Sequence, residues 1–126
     1  MLNKAFLIGR LVRDPEMRMT SSGVAVTRFT IAIDRTFRNE NGEKTADFIR
    51  VVAWRRLAEI CGQYLKKGKL VAVEGRLQVD SYEKDGQRRT SAEVIADNLQ
   101  MLDRGQQYSG SDEVGAEFEA LGRMDS

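Results

Sequence analysis

Hydrophobic and polar residues alternate with a period of two along most of the first hundred positions, and this pattern predicts a chain built mainly of strands. The longest example is 24–35. Ala25, Thr27, Phe29, Ile31 and Ile33 share one face, while Val24, Val26, Arg28, Thr30, Ala32 and Asp34 share the other. An apolar run over 3–12 precedes it and is closed by Asp14-Pro15, where a proline that cannot donate to a ladder marks a turn. A short piece follows around Met17 to Met19, then a second turn at Thr20-Ser21-Ser22-Gly23.

Residues 46–54, ADFIRVVAW, read as another strand of a half-buried sheet. Between the two strands lies the polar loop 36–45, with Asn41-Gly42 expected at its tip. After Trp54 the period changes. Leu57, Ile60, Cys61, Tyr64 and Leu65 follow helical spacing, which predicts an amphipathic helix with Cys61 and Tyr64 in the core. Lys66 and Lys67 suit its C-terminal end, and Gly68 suits a left-handed cap beyond it. Strand pattern resumes at 69–79, with Gly75 as an expected bulge. A hairpin turn at Asp85-Gly86 and a last strand over 88–102 complete the pattern.

Three strands, one helix and two strands is the element order of the OB-fold, a five-stranded, partly open barrel. The expected fold is therefore all-β with one short helix between the third and fourth strands. From Asp103 onward, Gly, Gln, Ser, Asp and Glu dominate. This divides the chain into a domain over 1–104 and a flexible acidic tail over 105–126, in which 114–121 could form a short helix on contact.

Charge sharpens that division. The 126-residue chain has a net charge of +1, split into +5 over residues 1–104 and −4 over 105–126. A basic body with an acidic tail suits a polyanion binder, although a solvated domain with a polar terminus has the same signature. There is no histidine, which removes the usual general base and metal ligand together. Cys61 is the only cysteine, so no intrachain disulfide forms, in keeping with a reducing cytoplasm. No metal-ligand spacing occurs, and neither an enzyme nor a cofactor is expected. No apolar run is long enough to span a membrane.

The candidate chemistry is binding. Phe48 and Trp54 share a parity with Arg50 between them, and Arg55 and Arg56 follow. Rings spaced along a strand among guanidinium groups can stack unpaired bases while cations meet phosphates, but a strand aromatic is more often core. Phe37, flanked by Arg35 and Arg38 in a polar loop, has less reason to be buried.

The segments NK at 3–4, LIGRLVRDPEMR at 7–18, GVAVTRFTIA at 23–32, RVVAWRRLAE at 50–59, YLKKGKLVAVEGRL at 64–77 and NLQML at 98–102 give the chain a resemblance. It resembles the bacterial single-stranded DNA-binding proteins of the homotetrameric kind over residues 1–104. That resemblance implies sequence-nonspecific binding of single-stranded DNA in replication, repair and recombination, within a bacterial cytoplasm and in association with the nucleoid. It implies base stacking at Phe37, Phe48, Trp54 and Tyr82, where Phe or Tyr replaces a usual Trp at three positions and Trp54 replaces a usual Phe. It also implies backbone contacts at Lys4, Arg18, Arg56 and Lys67, to which the charge pattern adds Arg35, Arg38 and Arg50.

Assembly is implied as well, through pairing of N-terminal strands over 3–12. Family members typically end in an acidic tip before Ile-Pro-Phe that recruits replication and repair enzymes, whereas this sequence ends in LGRMDS. The alternatives are a primosome-type dimeric OB-fold protein, an RNA-binding barrel, a protein-interaction module and a metal-dependent nuclease using scattered carboxylates.

Overall fold

The computed structural model describes residues 1–102. The expected acidic tail and the short helix over 114–121 lie outside the described residues.

The elements are β1 (Ala5–Leu11), β2 (Glu16–Met19), β3 (Ala25–Asp34), β4 (Ala46–Trp54), α1 (Arg55–Tyr64), β5 (Leu70–Lys84) and β6 (Gln87–Met101). Their sheet order is β1-β5-β6-β4-β3-β2, with a further β1–β3 pairing. That pairing, Arg10 with Ala32 and Leu11 with Ile31, closes five strands into a ring and bears out the OB-fold expectation. The piece around Met17 forms the extra strand β2, laid against β3 from Glu16–Arg28 to Met19–Ala25. One edge of β3 is thus shared, its first half covered by β2 and its second half by β1.

The even alternation of β3 does what the sequence anticipates. Ala25, Thr27, Phe29 and Ile31 are buried inside the ring, joined by Val51 and Ala53 of β4, Val71 and Val73 of β5, and Val94 of β6. Branched side chains on a pleated surface fill such a small barrel with few rotamers lost on packing. Gly75 sits where the β5–β6 register shifts, and a Cβ there would stand 2.0 Å from the carbonyl oxygen of Ile95. Only a glycine lets the two backbones approach so closely at this bend.

Helix α1 follows β4 directly and packs on the ring through buried Ala58 and Cys61, with buried Leu65 just beyond its end. Thr27, fully buried, donates from Oγ1 to the Ala58 carbonyl at 2.7 Å and pins the helix to β3. Tyr64, expected in the core, is instead 52% exposed. The buried stripe centres on Ala58 and Cys61, with Leu57 and Ile60 only partly buried beside it, which leaves Tyr64 at the rim of the last turn. Gly68 has a positive φ of 88°, but it serves a separate turn rather than capping α1. The helix ends at Tyr64 with Leu65 N–H donating to the Cys61 carbonyl, and the Gly68 N–H reaches Leu11 of β1. Among the described residues no helix is long and apolar enough to cross a membrane.

Beyond Leu77 and Val94, β5 and β6 leave the ring and, among the described residues, pair only with each other, from Gln78–Glu93 to Lys84–Gln87. The ribbon closes at Asp85-Gly86, where positive φ values of 53° and 77° give the mirror-image turn that matches strand twist. At its root Asn3 acts in place of a strand neighbour. Its amide accepts from the Leu77 N–H at 2.9 Å and donates to the Leu77 carbonyl at 2.7 Å.

Candidate nucleic-acid interface

In an antiparallel ladder directly opposed residues share a face, so the register assigns the outer surface strand by strand. On β4 the outward positions are Phe48, Arg50, Val52 and Trp54, opposite Ala32, Thr30, Arg28 and Val26 of β3. On β2, Arg18 and Glu16 extend the same rows beyond Val26 and Arg28. On the other side of β4, Val52 lies beside Ile95 of β6, which faces Arg76 of β5. Val26, Val52 and Ile95 form a small buried cluster on this outer face. The surface is therefore an apolar strip fringed by arginines, with a ring at each end of its β4 row.

All four rings are solvent-accessible. Phe37 is 82% exposed, Phe48 66%, Tyr82 47% and Trp54 39%, so the strand aromatics belong to the surface and not to the core. Phe37 lies in the loop between β3 and β4, which Asn39 organises by accepting the Asn41 and Glu43 N–H groups at 2.9 Å each. Trp54 is the last residue of its strand. Arg55, directly after it, takes a left-handed φ of 59°, a conformation costing a non-glycine residue about 1 kcal/mol. That single turn swings the chain from the outer sheet into α1. Tyr82 lies on the projecting ribbon opposite Arg89, on the outward parity of Arg76.

The basic residues divide. Arg18 and Arg50 lie on the outer face with Phe48 and Trp54, and Arg56 follows Trp54 on the exposed side of α1, 3.9 Å from Glu59. Arg35 and Arg38 flank Phe37. Arg35 donates from Nε and Nη2 to Asp47 Oδ1 at 3.0 and 2.7 Å, and that bond with the nearby carboxylate raises its pKa. Arg38 donates to the Gly42 carbonyl. Lys67 follows α1, its backbone N–H held by Asp14 Oδ1 at 2.9 Å. Lys4 stands apart, ion-paired with the largely buried Glu74 on the β1–β5 side of the ring. Its charge is offset there, away from the β4 rings.

Arg28 was not singled out by the sequence reasoning, although the alternation of β3 puts it on the non-core parity beside Val26 and Thr30. The signal that selected Arg50 on β4 applies equally to it. Arg76 comes to this face only through the β5–β6 pairing, and Arg13 only because the 12–15 turn folds beside Arg28 and Arg50. Among the described residues no group of three His, Cys, Asp or Glu side chains gathers as a metal site. Burial pushes the Cys61 thiol up to about 12, so it stays protonated and unreactive. The arrangement can stack planar groups and neutralise anions.

Comparison with known proteins gives the same direction. The model of the single-strand binding protein family matches residues 2–102. A single-stranded DNA-binding protein of Halalkalibacterium halodurans is 50% identical over 116 residues, spanning 90% of this chain and 69% of the relative. Single-stranded DNA-binding protein 1 of Staphylococcus aureus is 53% identical over 104 residues, 82% of this chain and 67% of the relative. Among solved structures, a Plasmodium falciparum SSB in complex with single-stranded DNA superposes with a TM-score of 0.73 at 28% identity. It covers 82% of this chain and 96% of its own. With a family match across nearly the whole barrel and bacterial relatives half identical in sequence, this chain belongs to the single-strand binding protein family.

Proposed function

We propose that this protein binds single-stranded DNA without sequence preference and without catalysis, shielding exposed strands during replication, repair and recombination. The observation that carries the reading is the outer row of β4, where Phe48 and Trp54 stand exposed on one face with Arg50 between them. Bases stack on Phe37, Phe48, Trp54 and Tyr82, each ring contributing about 1–3 kcal/mol and none discriminating among bases. Arg18, Arg35, Arg38, Arg50, Arg56 and Lys67 neutralise phosphates, while Lys4 contributes little because Glu74 already pairs with it. Duplex DNA is disfavoured because its bases offer no free faces.

The binding unit is the domain over 1–104. A homotetramer, assembled in part through β1, is supported by the free edge of that strand. Among the described residues, Ala5 to Gly9 pair with β5 on one side and with no strand on the other. Such an edge invites a second copy. The working location is the bacterial cytoplasm, on DNA of the nucleoid.

Titration with oligo(dT), a mixed-sequence oligonucleotide and a duplex, each at two salt concentrations, tests the function. Both single strands should quench Trp54 with similar affinity, and log affinity should fall with log salt at about −0.7 per phosphate neutralised. Duplex binding of equal strength, or salt-independent association, would overturn it. Sedimentation mass tests the tetramer.

A further inference from the structure

Between Phe48 and Trp54 the outer face is not flat. A groove of about 220 Å³ crosses β4 there, walled by β2, β3 and the 12–15 turn on one side and by Glu93 of β6 on the other. Arg13, Arg28 and Arg50 all line it. The six-residue separation of the two rings corresponds to about 20 Å along a strand, so a nucleic-acid chain stacked on both must pass over this groove.

Charge pairing inside the groove is uneven. Asp14 is engaged by the Lys67 N–H at 2.9 Å, and Glu16 faces Arg18 at 3.4 Å. None of Arg13, Arg28 and Arg50 makes an ion pair or side-chain hydrogen bond among the described residues. Glu93, half-buried at the rim, is likewise unpaired among them. The Lys67 amide leaves the Asp14 charge in place, so with Glu16 set against Arg18 three guanidinium groups remain against two carboxylates, Asp14 and Glu93. Like charges lining one groove repel, and an entering anion relieves that repulsion. Guanidinium forks match phosphate oxygens geometrically.

We propose that Arg13, Arg28 and Arg50 seat the phosphate backbone of single-stranded DNA in this groove between the Phe48 and Trp54 stacks, and that Glu93 weakens the seat by opposing the same phosphates. The proposal rests on the function given above and adds a backbone path and a built-in attenuator. Glu93 keeps the affinity of the site below what its arginines alone would give, which favours release and repositioning of the strand.

The test uses the full chain and oligo(dT), measured across a salt series, with urea midpoints confirming that each variant folds. Arg28→Gln and Arg50→Gln should each weaken binding severalfold at low salt. Each should also lower the slope of log affinity against log salt by about 0.7. Glu93→Gln should change affinity the other way, tightening it at least twofold at low salt with the advantage shrinking as salt rises. Arginine variants with a wild-type slope would overturn the seat, and a Glu93→Gln variant that binds no tighter would overturn the attenuator. Wild-type protein that ignores oligo(dT) altogether would mark the failure of the parent function instead.

Discussion

Replacing Phe37 by alanine separates binding from folding more cleanly than any other ring. A packed aromatic buries about 150–250 Å². With Phe37 82% exposed, roughly 40 Å² is covered, which at about 25 cal/mol per Å² amounts to about 1 kcal/mol of folding stability as an upper limit. A base stacked on it contributes about 1–3 kcal/mol, or a factor of about 5 to 150 in affinity. Trp54 offers no such separation. At 39% exposed it covers roughly 150 Å², so its removal costs about 3–4 kcal/mol of folding on the same scale and confuses the two effects. Phe37→Ala also leaves Trp54 in place as the fluorescent reporter. The expected outcome is a urea midpoint close to wild type together with oligo(dT) affinity reduced at least fivefold at fixed salt. Affinity within twofold of wild type would remove Phe37 from the platform. A large loss of stability would show that the loop ring carries structural weight its exposure does not account for.

Two further outcomes test the fold. Gly75→Ala places a Cβ 2.0 Å from one backbone atom of Ile95 and 2.8 Å from another, neither of which can swing aside, so it should cost more than about 3 kcal/mol in urea unfolding. Gly86→Ala, with open space around it but a φ of +77°, should cost only about 1 kcal/mol. Cys61 has a thiol pKa raised by burial to about 12 from an ordinary 9.0, so the unfolded chain releases its proton first. Its contribution is complete below pH 9 and is lost as pH rises toward 12, at up to about 1.4 kcal/mol per pH unit. Cys61→Ala should therefore lose less stability across that window than wild type, and parallel profiles would refute the assignment.

The strands were legible because a two-sided barrel wall imposes a strict period on its sequence, as β3 displays from Ala25 to Ile33. Turn chemistry was legible for the same local reason, at Asp85-Gly86 and at the Gly75 bulge. What periodicity could not give was rotation and partnership. The helical spacing through Tyr64 fits two orientations of α1, and only the packing of Ala58 against β3 chooses between them. Lys4 reads as a free cation until Glu74 is brought beside it, and Asn3 reads as a polar terminus until Leu77 arrives from 74 residues away. Phe48 and Trp54 were legible because their parity is local, and Phe37 because it stands in a polar loop, whereas Tyr82 came only with the family resemblance. The groove between Phe48 and Trp54 was not legible, since its walls come from four strands and a turn.

The ribbon carrying Tyr82 has a mechanical implication. Among the described residues, seven residue pairs stand clear of the barrel, held at the base by the amide of Asn3 and otherwise only by their own ladder. Two isolated strands are marginally stable in water, so this arm can bend or fray on its own while the barrel stays intact. Tyr82 would then behave as a hinged finger beside the fixed pair on β4. A base stacked on Tyr82, as proposed above, would then be released by motion of the arm alone, leaving the rings fixed on β4 undisturbed.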